Sequence, residues 1–175
     1  ILFRPFVHPK LSLHGRLVCL PGTIPLQPRG IPYAHTPRLY REYTAQRPAL
    51  IISEPLAITP TAASYLSQAN YLVIEANYDA SMLQNGPYPL YLKRRIVAPR
   101  GHMDNAETAE FLATTYRPEL THIFLCHLSL DNNHPQLAYK TIEGRLYNEG
   151  IRVGKDVQLV TLARNHASQL YTFEK

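Results

Sequence analysis

Two histidines stand where side-chain chemistry is easiest to arrange. His127 follows the apolar run Thr121-His-Ile-Phe-Leu-Cys126 directly, and a histidine at the end of a buried strand is either a metal ligand through a neutral ring nitrogen or a satisfied core residue. His102 lies in Arg100-Gly-His-Met-Asp-Asn105, just ahead of Asp104-Asn-Ala-Glu107, whose spacing is that of a capping box. Backbone amides at such a helix start favour anions and Arg100 adds a fixed positive charge, so a phosphate suits this loop. The alternative is that His102 packs against the cap and Arg100 is solvated. Carboxylates close two further apolar runs, in Ser53-Glu54 after Ala49-Leu-Ile-Ile and in Glu75-Ala-Asn-Tyr-Asp79 after Tyr71-Leu-Val-Ile. Each of these is equally a capped strand end.

For those groups to meet, alternating strands and helices must bring their loops to one edge of a sheet. The order of elements supplies that arrangement. Ala49 to Ser53 and Tyr71 to Glu75 read as buried strands, with Thr59-Pro60-Thr61 between them as the start of a helix with proline at its first position. Tyr88 to Val97 reads as a helix with a basic Lys93-Arg94-Arg95 face, and Asp104 to Tyr116 as a second helix. Thr121 to Cys126 is a strand, His134 to Glu149 a helix closed by Gly150, and Val157 to Leu162 and Gln169 to Phe173 are two final strands.

The 175 residues suffice for one domain and its core, with 45% apolar and 18% charged residues, which excludes disorder and fibrous architectures. No run approaches the roughly 20 apolar residues of a membrane helix, so no membrane partner is expected. Composition divides the chain near residue 48. Residues 1–48 carry Pro5, Pro9, Pro21, Pro25, Pro28, Pro32, Pro37 and Pro48 and seven basic residues against one acid, Glu42. This is expected to be an irregular basic segment of short strands and loops, and residues 49–175 the ordered α/β part. Removing the first segment's +6 from the total of +5 leaves −1 for the remainder, so the basicity, and with it any attraction for nucleic acid, is local. Cys19 and Cys126 are too few and too far apart for a disulfide framework, which points to the reducing cytoplasm. The chain starts at Ile1 with no leader-like segment after it, as a fragment or a trimmed product would.

The strings Val73-Ile-Glu-Ala-Asn-Tyr-Asp79, Asn85-Gly-Pro-Tyr-Pro89, Leu92-Lys93, Arg95-Ile96, Arg100-Gly-His102 and Phe124-Leu-Cys-His-Leu-Ser129, with Asp131-Asn132-Asn133, closely resemble metallo-β-lactamase-fold hydrolases of the YycJ/WalJ type. That branch is related to the tRNA 3′-processing endonucleases and is associated with exonuclease action on DNA. The resemblance is dense from Ala49 to Glu149 and implies an αββα sandwich of which this chain is the second half. It also implies a binuclear zinc or manganese site. His127 matches the last metal-ligand histidine, Glu54 falls where a bridging Asp belongs, and His35 in Pro32-Tyr-Ala-His35 lies where a third-motif histidine would. His102 matches the histidine of a Gly-His-Leu-Ser motif that contacts the scissile phosphate, which makes it the catalytic candidate, with Arg100 and Asn105 beside it on the phosphate. Met103 and Asp104 replace the Leu and Ser of that motif, and Tyr78 replaces a histidine.

The HxHxDH loop that supplies most of the family's metal ligands occurs nowhere in these 175 residues. Two functions follow from that departure. In one, the chain is part of a metal-dependent phosphodiesterase or nuclease, inactive alone, with the missing ligands on an N-terminal half or another chain. In the other, it is a diverged, non-catalytic module whose basic segment binds a partner or nucleic acid. Half of a sandwich would also leave one sheet face bare, which favours a partner half or self-association.

Overall fold

The computed structural model describes residues 9–12, 16–19, 39–44, 47–52, 69–99, 101–164, 168–169 and 171–172. Glu54, His35, Arg100 and the helix expected at Thr59 to Thr61 lie outside the described residues. Strands β1 (Pro9–Ser12), β2 (Arg16–Cys19), β3 (Leu39–Thr44) and β4 (Arg47–Ile52) precede β5 (Tyr71–Glu75). Helices α1 (Ala80–Asn85), α2 (Leu90–Ile96) and α3 (Asn105–Thr115) then lead to β6 (His122–Cys126), α4 (Pro135–Asn148), β7 (Gln158–Thr161) and β8 (Tyr171–Thr172). Two sheets form, a five-stranded one in the order β3-β4-β5-β6-β7 and a three-stranded one in the order β1-β2-β8.

Parallel pairing on both sides explains why the central strand β5 and its neighbour β6 carry continuous apolar runs, Tyr71 to Ile74 and Ile123 to Cys126. A parallel strand in the middle of a sheet is covered on both faces and has no solvent side to encode. One face, with Leu72, Ile74, Ile123 and Leu125, packs against Ala109 and Leu112 of α3 and Ala138, Ile142 and Leu146 of α4. The opposite face carries Tyr71, Val73 and Phe124, which are 7%, 3% and 0% exposed. Phe124 meets Tyr171 of the second sheet edge to face at a centroid distance of 4.9 Å. Tyr171 of the second sheet thus covers part of the face expected to be bare, and Tyr71, Val73 and Phe124 on that face are buried. The β3–β4 hairpin pairs Leu39 with Ile52 through Thr44 with Arg47, and β4 pairs with β5 in the main sheet.

Local signals set most element ends. The capping box of α3 is complete: Asp104 accepts from the Glu107 amide and Glu107 accepts from the Asp104 amide. α4 starts with Pro135 at its first turn and ends at Asn148, followed by Gly150, whose φ of 78° is the left-handed value that glycine adopts without a Cβ penalty. Helix α1 has no counterpart among the expected elements; at six residues it is too short to show a helical period, and the Asp79 side chain starts it by accepting from the Met82 amide.

The turn from α2 into α3 delivers His102 to the sheet edge. Its chain is folded so tightly that the Gly101 amide donates to Ala98 O at 2.6 Å and the His102 amide to Ile96 O at 2.8 Å. A Cβ on Gly101 would stand 1.8 Å from Ile96 O, a backbone atom that cannot swing aside. Gly101→Ala should cost about 3 kcal/mol, the upper end for forced overpacking. Gly144→Ala, in α4 with nothing within 4 Å of the added carbon, should instead stabilise by about 0.5–1 kcal/mol. Urea or thermal denaturation of both variants checks the pair, and equal effects of the same sign would contradict this packing.

Candidate functional site

Three loops leave the C-terminal ends of β5 and β6 and the start of α3, and each brings one group to a common point. Glu75 is the last residue of β5, on the sandwich side of the sheet with Tyr71 and Val73, and it is fully buried. His127 follows β6 immediately, and His102 comes from the turn before α3. Glu75 Oε1 lies 2.7 Å from His102 Nδ1 and 2.5 Å from His127 Nδ1. The two imidazoles meet edge to face with centroids 5.0 Å apart. Their side chains are 32% and 22% exposed, so a buried carboxylate holds two partly open rings.

Burial alone would raise the Glu75 pKa, but the hydrogen bonds from His102 and His127, and then their charges, hold it below its ordinary 4.5. An ionised carboxylate only accepts, so both Nδ1 atoms carry the proton in these contacts. The nitrogen that Glu75 does not engage is then Nε2 in each ring. A carboxylate on one imidazole nitrogen fixes the tautomer and aims the other nitrogen, as in metal and acid–base sites.

The loops are tied to one another as firmly as to their strands. The Asn77 amide donates to Met103 O, the Asn105 amide to Tyr78 O, and the Ser129 amide to Asn77 O, at 2.9, 2.9 and 2.7 Å. Thr108 Oγ1 donates to Glu75 O at 2.8 Å and Asn77 Nδ2 to His127 O at 2.7 Å. His127 has φ of 56°, a left-handed conformation that costs a residue with a Cβ roughly 1–2 kcal/mol. The contacts of Asn77 and Glu75 hold it there, and such a conformation turns the ring off the strand direction toward Glu75.

Several expected residues take other positions. Asn105, expected on a phosphate, is 1% exposed. Its amide exchanges two hydrogen bonds with Asn133, at 3.0 and 2.9 Å, and Asn133 also donates to Ala76 O. It braces two loops because its side chain points inward from the first turn of α3. The start of α3, expected to cradle an anion, is filled by the chain itself: Asp104 Oδ1 takes the Glu107 amide and Asp104 O takes the Thr108 amide. Met103 is buried in the main core, and Tyr78 packs with Leu83 and Ile96. Burial, then the charges of Asp104, Glu107 and Glu75, push the Tyr78 phenol up to about 12, so it stays neutral. These are physical reasons for Met103, Asp104 and Tyr78 at those positions. Glu75 itself was visible only as a polar strand end; its partners lie 27 and 52 residues away, a distance no spacing rule covers.

Glu75, His102 and His127 offer ligand atoms within 4.8 Å of one another, a group able to hold a metal ion. Their contacts argue against all three binding one ion as they stand, since both Nδ1 atoms are hydrogen-bonded to the same carboxylate oxygen. Among the described residues the donor set is thus short of the three ligands that a zinc ion ordinarily takes from protein. No helix among the described residues is long and apolar enough to cross a membrane.

No family model matches the chain. It is 32% identical over 139 residues to exodeoxyribonuclease YycJ of Bacillus anthracis, covering 79% of this chain and 53% of that protein. It is 29% identical over 150 residues to exodeoxyribonuclease WalJ of Streptococcus pneumoniae, covering 85% and 56%. Solved structures similar to it include the metallo-β-lactamase-fold protein YhfI of Bacillus subtilis, at TM-score 0.49 and 11% identity over 92% of this chain and 51% of that one. Another is unliganded yeast PDE1, at TM-score 0.48 and 12% identity over 95% and 48%. By sequence, the chain is similar to the YycJ/WalJ exodeoxyribonucleases, and it spans about half the length of the curated relatives it matches.

Proposed function

We propose that this chain carries one half of the catalytic centre of a metal-dependent phosphodiesterase acting on DNA, and that it turns over little substrate without a first half. The observation that carries the reading is the single buried carboxylate that orients two imidazoles at a sheet edge. An imidazole held through Nδ1 by a carboxylate can present Nε2 to a phosphate oxygen and exchange a proton there. His102 takes that role, because its side chain is the more exposed of the two. Arg100, ahead of it in sequence, supplies positive charge for the same phosphate.

His127, aimed by Glu75, is the described residue that would hold a metal, with Glu54 and His35 assigned as its companions. Bound metal would supply an activated water and stabilise charge on the phosphoryl oxygens. Glu75 does not change partners in this scheme; it keeps both rings in one tautomer. With so few ligands in one chain, a retained ion should be single and substoichiometric. Metal analysis after dialysis against a mild chelator tests this, and two tightly held equivalents per chain would contradict it.

Activity is best tested by adding the separately expressed HxHxDH half of a related protein and following release of nucleotides from labelled single-stranded DNA with Mn²⁺ or Zn²⁺. The expected outcome is negligible turnover by the chain alone and metal-dependent turnover on mixing. His102→Ala should lower that rate about 10²- to 10⁴-fold, as loss of a general acid does. Glu75→Gln, whose neutral amide oxygen is a weaker acceptor for the two rings than a carboxylate, should lower it about 10- to 100-fold. Correct docking without turnover would favour the non-catalytic binding module, and turnover indifferent to His102→Ala would remove the assigned acid.

A further inference from the structure

Residues 80–103 contain Lys93, Arg94, Arg95 and Arg100 and no acid. Setting that +4 against the −1 of residues 49–175 leaves −5 for the rest of that region, so the net positive charge there is confined to the one segment that carries His102. Most of this charge sits on α2. Lys93 is used internally, donating to Gln84 O and Gly86 O at 2.7 and 2.8 Å, and so fixes α2 against the end of α1. Arg94 is exposed and has no ion pair among the described residues, and Arg95 is also exposed.

Tyr91, Arg94 and Arg95 stand at helical spacings of three and four, which places them on one face. Tyr91 is 70% exposed and Leu90 beside it 63%, while Leu92 and Ile96 on the other side pack with Tyr78 and Leu83. An aromatic ring left in water next to arginine is poor use of a surface unless something stacks on it. The C-terminal end of α2 touches the site directly, through the His102 amide on Ile96 O. At about 1.5 Å per residue, Tyr91 lies only about 8 Å along the helix from that junction.

We propose that the exposed face of α2 is the track on which single-stranded DNA reaches the Glu75–His102–His127 site, with a base stacked on Tyr91 and a phosphate on Arg94. The inference rests on the phosphodiesterase reading for the direction of the strand, and it adds the surface that selects a single strand. Sequence-tolerant binding of single strands combines aromatic platforms with basic side chains along the backbone, and both are present here within one short helix. A duplex would keep its bases stacked on each other and leave Tyr91 without a partner.

Fluorescence anisotropy of the full 175-residue chain with a labelled oligothymidylate tests the track. Tyr91→Ala should weaken binding about tenfold with no change in salt dependence, and Tyr91→Phe should restore it. Arg94→Gln should weaken binding and lower the slope of log K against log salt by about 0.7. Tyr147→Ala, on an equally exposed tyrosine at the far end of α4, should leave binding unchanged. Circular dichroism melts confirm that the variants fold, as expected for exposed positions. Binding unaffected by both Tyr91→Ala and Arg94→Gln would overturn the proposal, as would equal loss for Tyr91→Ala and Tyr147→Ala. The two readings fail separately. Turnover in the complemented assay with no effect of the α2 variants sinks the track alone, whereas strand binding that depends on Tyr91 without any turnover sinks the phosphodiesterase and supports the track.

Discussion

One carboxylate oxygen, Glu75 Oε1, accepts hydrogen bonds from two imidazoles that reach it from separate loops, and the site exists because that oxygen is buried, ionised and fixed. Burial makes the charge expensive, so the fold must compensate it, and it does so with donors from both histidines. Removing either ring leaves a buried charge with less compensation. Removing the carboxylate frees both rings to change tautomer. Placement at the end of a central strand adds rigidity, since Glu75 pairs with Cys126 in the β5–β6 register while His127 continues directly from the same β6 end.

Everything around this point limits how the three loops can move. The Asn105–Asn133 pair is buried and reciprocal, and with Asn133 on Ala76 O it links the starts of α3 and α4 to the end of β5. Asn77 does the same for the other side, between Met103 and His127. A half-satisfied network of buried amides costs more than an apolar substitute, while a complete one specifies a single arrangement. The left-handed His127 is the cost of that arrangement, tolerated where the neighbouring loops dictate it.

Legibility in the sequence followed the range of the interaction. The capping box at Asp104, Pro135 and Gly150 act within one turn, and α3 and α4 begin and end close to where those residues indicate. Parallel strands announced themselves as continuous apolar runs. The convergence of His102 and His127 followed from alternating strands and helices that return to one sheet edge. Glu75 as the group joining them did not, because a strand-end carboxylate looks the same whether it meets solvent or two imidazoles. Asn105, expected beside the phosphate, uses its side chain in the buried pair with Asn133, a partner 28 residues away that no local pattern indicates. Glu54 and His35 rest on resemblance alone and lie outside the described residues.

The central claim is that Glu75 holds both imidazoles through Nδ1, and long-range proton–nitrogen NMR of the histidine rings reads this directly. The account predicts that His102 and His127 both carry the proton on Nδ1 at neutral pH, and that Glu75→Gln shifts the two rings together. A spectrum in which either ring is the Nε2–H tautomer, or in which Glu75→Gln moves one ring and leaves the other in place, would contradict it.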